Sequence, residues 1–262
     1  SGISKTRNEA RVSAGEEFFI TSMKILLIGK GFIGARAAEV WGSEAVVAEG
    51  HIESVGDALD LLYRHKPDVV LNAAGVTGKP NVDWCETHQI ETWQGNTILP
   101  LLIVEACQAR GVYLLHLGTG CIFYGAAPDP RGWKETDYGN PVAVYTRSKY
   151  AADLVLETIP NVGIARLRMP IDDRPSPGNL IDKLARYPKI IDVENSVTIL
   201  SDLIDTLYQL LEKRASGIFH TVNPGIMRHR ELIRLYEELV DPNHKNEWIT
   251  EADLVAQGLA TK

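Results

Sequence analysis

Apolar residues come in short solid runs along this chain, and the segments between the runs carry them at helical spacing. Residues 24–28, 45–48, 68–72, 112–117 and 162–168 are apolar nearly throughout. That is the pattern of strands buried on both faces of a parallel sheet, not of half-exposed strands, which alternate. Residues 33–41, 55–65, 91–109 and 145–157 read as helices between them. Lys66-Pro67 stops the second helix and Gly111 caps the third. The alternation predicts an α/β fold, a Rossmann-type doubly wound parallel sheet covered by helices on both faces. Ligands of such sheets lie beyond the carboxyl ends of the strands, where loops 29–34, 73–83 and 118–125 fall.

After residue 168 the alternation weakens. Residues 170–177 are rich in Asp and Pro and predict a loop. A helix over 179–186, a strand over 189–193, amphipathic helices over 203–214 and 228–240 and a strand over 217–222 complete the reading. The expected organisation is an NAD(P)-binding domain over 23–169 and a smaller substrate-binding lobe with returning sheet elements over 170–262. Residues 1–22 are polar and Met23 opens the first strand, so 1–22 reads as a leader or an appended remnant.

Composition narrows the function classes. The chain has 262 residues, 45% of them hydrophobic and 23% charged, which is ordinary for a globular protein. Its formal net charge of -7 argues against a nucleic-acid polymer or a membrane surface as partner. Three cysteines make no disulfide framework and suit a reducing, cytoplasmic compartment. No His/Cys/Asp cluster has metal-ligand spacing, so no metal is expected.

Candidate chemistry gathers at the strand ends. Gly29-Lys-Gly-Phe-Ile-Gly34 follows a strand and opens a helix, the context of a dinucleotide loop. Gly29 permits the tight turn, Gly31 admits a pyrophosphate, and Gly34 lets helix and strand close up. Glu49, after the second strand, is the candidate for the adenosine ribose, and no arginine beside it awaits a 2′-phosphate. The residues here leave the cofactor open between NADPH and NADH. Tyr145 and Lys149 lie one helical turn apart and share a face. A lysine ammonium there lowers the phenol pKa and makes Tyr145 a proton donor for hydride reduction of a carbonyl. Thr119 follows the fourth strand and suits holding a carbonyl oxygen beside Tyr145. Cys121 reads either as a small buried hydrophobe or as a base, Lys183 by default as a solvated charge, and His116 as a core histidine.

Gly29–Gly34, Asn72-Ala-Ala-Gly75, Thr119 and Tyr145-x-x-x-Lys149 together resemble the extended short-chain dehydrogenase/reductases. A narrower string runs from Asn72 to Cys85, with Thr119-Gly-Cys-Ile-Phe123, Arg166-Leu-Arg-Met-Pro170, Asn195-Ser196 and Asn223-Pro-Gly225. It is similar to the nucleotide-rhamnose synthase/epimerase-reductase enzymes, relatives of dTDP-4-dehydrorhamnose reductase. The resemblance implies a nucleotide-sugar substrate, UDP- or dTDP-4-keto-6-deoxyglucose, inverted at C3 and C5 and reduced at C4 to the nucleotide-linked L-rhamnose. It implies catalysis by Thr119, Tyr145, Lys149, Cys121 and Lys183, the last two as base and acid of the epimerisation. It implies further cofactor contacts at Phe32, Ile33, Asn72, Ala73, Ala74, Gly75 and Met169. Substrate contacts are implied at Val76, Thr77, Lys79, Asn81, Asn179 and Asn195. The oligomeric state is left open by the sequence, and a homodimer of the kind the resemblance implies would use the exposed faces of helices 91–109 and 145–157. A reductase without epimerase activity and a non-catalytic regulatory subunit of the same fold are the alternatives.

Overall fold

The computed structural model describes residues 22–256, so all but the last residue of the expected leader lies outside the described residues. β1 (Ile25–Ile28) is wholly buried and leads through the glycine loop into α1 (Phe32–Trp41). β2 (Ala45–Val47), α2 (Val55–His65) and β3 (Val69–Asn72) follow. α2 begins in a capping box, in which Ser54 and Asp57 each accept the other's backbone N–H, and ends on Lys66 in the left-handed conformation.

The helix expected over 91–109 is present from Gln89 to Arg110, with a π turn inside it. α3 (Trp84–Thr87) and α4 (Gln89–Trp93) lead through a π turn at Gln94–Ile98 into α5 (Leu99–Arg110). Pro100 accounts for the π turn, since it has no N–H to donate to the carbonyl of Asn96. β4 (Tyr113–Thr119) is buried along its full length, and α6 (Val144–Leu156) and β5 (Val162–Leu167) follow.

The later chain contains more short strands than its composition suggests. β6 (Pro170–Ile171) occupies the start of the expected loop, before α7 (Leu180–Arg186), β7 (Lys189–Ile191), β8 (Glu194–Asn195) and β9 (Thr198–Ile199). α8 (Leu200–Lys213) begins earlier than the sequence suggested, and β10 (Gly217–His220) follows it. β11 (Met227–Arg228), α9 (His229–Leu239), β12 (Glu247–Ile249) and α10 (Glu251–Ala256) complete the described chain. The two- and three-residue strands show no period-2 signal because they are too short to carry one.

The main sheet runs β10-β5-β4-β3-β1-β2, every pair parallel. One face packs against α1 and α8 around Leu27, Leu115, Leu203 and Leu207. The other packs against α2, α5 and α6 around Leu26, Val70, Ile103 and Leu156. Strand order reverses between β1 and β3, and that switch point opens the crevice where doubly wound sheets take ligands. A third, smaller core of Leu180, Leu184, Ile190, Leu232 and Ile233 joins α7, β7 and α9 beyond the strand ends.

Candidate active site

The switch point is shaped for close backbone approach. Gly29 has φ +105°, and a Cβ there would meet the Ala74 amide nitrogen at 2.5 Å, so only glycine lets the β3 loop cross over the β1 loop. A Cβ on Gly34 would collide with the Gly29 carbonyl oxygen. At Gly31 a Cβ would meet nothing within 4 Å, so open space faces the start of α1. No side chain caps that helix end, and its first N–H groups stay available to an anion. These features fit the pyrophosphate of a dinucleotide. Phe32 supports the loop around Gly178, whose Cβ would touch its ring at 2.5 Å, while Ile33 packs against the core under α1. Glu49 is exposed beyond β2.

The β3 loop is pinned by two buried asparagines. Asn72 accepts from the Ala74 amide at 3.1 Å, and Ala73 donates to the Ile28 carbonyl at 2.8 Å. Asn96 accepts from the Val76 amide at 2.7 Å and donates to the Val76 carbonyl at 2.9 Å and to Ser148 Oγ at 3.0 Å. Sequence reading missed Asn96, which the π turn aims into the structure. Gly75, Thr77 and Lys79 are exposed along this loop, and Asn81 turns back to accept from the Asp83 amide at 2.9 Å.

α6 presents Tyr145, Lys149 and Asp153 on one face, each one turn from the next. Its N-terminus lacks a cap of its own, and Glu86 from α3 accepts the Val144 N–H at 2.8 Å. Tyr145 is half-buried, and its phenol shares a hydrogen bond with the Thr119 hydroxyl. Thr119 is itself buried and accepts from the Cys121 amide at 3.2 Å.

The electrostatics depart from the sequence reading. Burial pushes the Tyr145 phenol well above the usual tyrosine range, the Cys121 and Cys85 sulfurs push the same way, and the Thr119 hydrogen bond pulls back. Lys149 does not offset this because it is turned inward. Its Nζ donates to the Leu117 carbonyl at 2.6 Å and lies 3.2 Å from His116 Nε2. Burial brings Lys149 down to about 8, against the pull of the Asp153 carboxylate. His116 is a core histidine, fully buried, and its Nδ1 lies 3.1 Å from Asn72 Nδ2. Asp153 accepts from Arg166 Nε at 2.8 Å, and both residues are essentially inaccessible.

On the opposite side, Cys121 is half-buried in a 3₁₀ turn, Gly120–Ile122, at the end of β4. Lys183 on α7 is half-buried too. Burial lowers its ammonium pKa, and proximity to Cys121 pulls weakly the other way, so the two side chains lie within electrostatic reach of one another. Desolvation therefore acts in the direction that a lysine acid near neutral pH requires.

Arg168, which sequence reading did not single out for chemistry, ties this wall together. It donates to the Gly120 carbonyl at 2.9 Å and to Asn195 Oδ1 at 3.0 Å from Nε and 2.5 Å from Nη2. Asn195 is thus buried behind Arg168. Asn179 is buried as the cap of α7: its Oδ1 accepts from Ile181, and its Nδ2 donates to the carbonyls of Asp172 and Arg174. Both amides are engaged with protein rather than turned toward a ligand. Met169 takes φ +44° between β5 and β6 and packs on the small core.

Residues 23–235 match the RmlD substrate binding domain family. A bifunctional dTDP-4-dehydrorhamnose 3,5-epimerase/dTDP-4-dehydrorhamnose reductase of Arabidopsis thaliana is 35% identical over 233 residues, 85% of this chain and 77% of that protein. A trifunctional UDP-glucose 4,6-dehydratase/UDP-4-keto-6-deoxy-D-glucose 3,5-epimerase/UDP-4-keto-L-rhamnose-reductase of the same plant is 34% identical. The match covers 86% of this chain and 35% of the plant protein, so the chain spans about a third of its length. The crystal structure of a UDP-rhamnose synthase from Acanthamoeba polyphaga mimivirus superposes with TM-score 0.84 at 28% identity, covering 90% of this chain and 87% of that one.

Proposed function

Since the chain belongs to the RmlD substrate binding domain family, we propose that it is a nucleotide-sugar 3,5-epimerase/4-reductase. Its substrate is UDP- or dTDP-4-keto-6-deoxyglucose, and its product the nucleotide-linked L-rhamnose. The observation that carries the reading is that the end of β4 holds Thr119 and Cys121 two residues apart, with Tyr145 of α6 beside Thr119 and Lys183 of α7 within electrostatic reach of Cys121. The 4,6-dehydratase step in the name of the trifunctional relative is no part of this proposal.

The Gly29–Gly34 loop and the start of α1 would hold NADPH, with NADH as the alternative, and the bound cofactor would supply the hydride for C4. The rest is the work of side chains. Thr119 and Tyr145 hold the C4 oxygen by hydrogen bonds. This makes the hydrogens on C3 and C5 acidic, because the charge left by deprotonation spreads onto that oxygen. Cys121, as thiolate, takes a proton from one face of the sugar, and Lys183 returns one to the other, inverting the carbon. Once C4 is reduced, Tyr145 transfers its phenolic proton to the new alkoxide. A phenol held protonated by burial suits that direction. Arg168 fixes the turn that carries Cys121 through its bond to Gly120.

Residues 23–169 hold the dinucleotide and the lobe within 170–262 holds the sugar. No helix among the described residues is long and apolar enough to cross a membrane. Three free cysteines suit a reducing cytoplasm, and Ile98, Leu154 and Val155 are exposed where a homodimer would form.

The deciding experiment is a proton NMR time course in heavy water with UDP- or dTDP-4-keto-6-deoxyglucose and NADPH. Deuterium at C3 and C5 of a rhamnosyl product is the expected result. Reduction only after a separate epimerase is added would leave a reductase alone, and no turnover in either arm would overturn the enzymatic reading.

A further inference from the structure

The Cys121 turn is held from the lobe by a run of side chains that ends on a histidine. Arg168 Nη1 donates to the Gly120 carbonyl at 2.9 Å, one residue before Cys121. Its Nε and Nη2 both donate to Asn195 Oδ1, at 3.0 and 2.5 Å. Two guanidinium N–H groups need an acceptor, so they fix which way the Asn195 amide lies. Its oxygen faces Arg168, and its Nδ2 faces His229 Nε2 at 3.5 Å.

His229 is the first residue of α9, and the antiparallel pairing of β11 with β8 sets Met227 opposite Asn195, which brings the imidazole beside the amide. Its Nδ1 lies 3.0 Å from the Ile191 carbonyl, which can only accept, so Nδ1 carries a hydrogen. In the neutral ring Nε2 is then bare and accepts from Asn195. A hydrogen on Nε2 would meet the Asn195 N–H, and turning the amide over would set its donors against the guanidinium. His229 and Asn195 are both buried, so bulk water does not replace a lost partner.

We propose that His229 is a positioning residue for the epimerisation: through Asn195 and Arg168 it holds the Gly120–Ile122 turn that presents Cys121. The proposal rests on the epimerase reading for what Cys121 does, while the hydrogens of the ring and the setting of the thiol can be read without substrate.

The surroundings of the ring act in the same direction. Burial holds the His229 pKa below the usual histidine range and the Arg168 guanidinium adds to that, against the Ile191 carbonyl and the Asp192 carboxylate. Asp192, between β7 and β8, is itself engaged by Arg228 and Arg230 at 3.2 Å each. Glu194 of β8 is bonded to Arg228 at 3.1 Å.

The test compares His229→Asn with His229→Gln in the full chain. Asparagine keeps a donor for Ile191 but is too short to reach Asn195, whereas glutamine carries an amide oxygen to the place of Nε2. His229→Asn should slow deuterium exchange into C3 and C5 by about fivefold, the worth of one neutral hydrogen bond. His229→Gln should recover most of it, and reduction of an already epimerised keto-sugar should change less in both. Equal exchange in the two variants would overturn the proposal, as would a loss of reduction in step with exchange. Without substrate, iodoacetamide should label Cys121 faster in His229→Asn and close to the wild-type rate in His229→Gln. An unchanged rate in His229→Asn would overturn the proposal. A wild type that exchanges nothing would remove the epimerase reading, and the labelling rates then decide by themselves whether His229 holds the turn. A histidine ¹⁵N NMR spectrum of the wild type at neutral pH, with His229 assigned by its loss in His229→Gln, should show a protonated Nδ1 and a bare Nε2. A bare Nδ1 would overturn the proposal. Asn195→Asp keeps an acceptor for Arg168 and sets a second carboxylate oxygen opposite Nε2, so both ring nitrogens should then carry hydrogens. A ring unchanged in that variant counts against the proposal, and the wild-type spectrum decides should the variants not fold.

Discussion

The two walls of the candidate site are built from different material. Thr119, Tyr145 and Lys149 hang on β4 and α6, a strand of seven buried residues and a helix of thirteen, both gripped by the main core. Cys121, Lys183 and Arg168 hang on a three-residue turn, a seven-residue helix and the link out of β5. The first wall takes its geometry from regular hydrogen bonding. The second takes it from side chains: Asn179 caps α7, and the Arg168 guanidinium spans Gly120 and Asn195. Reduction should therefore tolerate changes on the lobe side, while epimerisation should depend on single polar contacts.

The sharpest way to break this comparison is to disable one wall at a time. Tyr145→Phe removes the proton donor and keeps the ring. Reduction should fall by about 10²–10⁴, the usual worth of a positioned acid. Exchange of solvent deuterium into C3 and C5 should persist, because Thr119 still holds the carbonyl oxygen. Equal loss of both activities would mean that the walls are not separable. The reciprocal variant, Cys121→Ser, should cut exchange by about 10²-fold or more. Its reduction of an already epimerised keto-sugar, followed by cofactor absorbance, should stay close to wild type.

The same division separates what the sequence reveals from what it hides. β1, β3, β4 and β5 are solid apolar runs, and the glycine loop and Tyr145-x-x-x-Lys149 have fixed local spacing, so the reductive wall is legible from residue order alone. The direction of Lys149 is not, because it depends on His116, thirty-three residues earlier and in a strand otherwise composed like core. Asn96 was hidden inside an apparently continuous helix, and only Pro100, four residues on, hinted at the π turn that aims it at Val76. Asn179 and Asn195 look like polar lobe residues free to meet a sugar. They are consumed by a helix cap and by Arg168, long-range pairings that no periodicity encodes.

Arg168→Lys sharpens the comparison further. A lysine keeps the charge but cannot span the Gly120 carbonyl and Asn195 together, so one charge-assisted bond is lost, worth about 1.5 kcal/mol. Exchange should slow by about tenfold. Reduction of the epimerised sugar should change less, and affinity for the dinucleotide, read by fluorescence titration, should not change. A matching loss in cofactor binding would tie Arg168 to the reductive wall instead.

The smallest expected effect concerns stability. Burial lowers the Lys183 pKa, so folding disfavours its ammonium. The sign follows from linkage: with the folded value below the unfolded one, the penalty is fully present below the folded pKa and fades as pH rises through it toward the unfolded value. Lys183→Met removes that charge, keeps most of the side-chain volume and should raise Tm slightly at pH 7, with the gain shrinking as the pH approaches the ordinary lysine value of about 10.4. The same variant should lose exchange at C3 and C5. In the wild type, exchange should fall on the alkaline side at a pH below that ordinary value, because the acid must be protonated to act. A variant that is more stable yet unable to exchange would mean that the lobe keeps a poorly solvated cation for its chemistry. A lower Tm at pH 7 would instead make Lys183 part of the scaffold and remove the main asymmetry between the two walls.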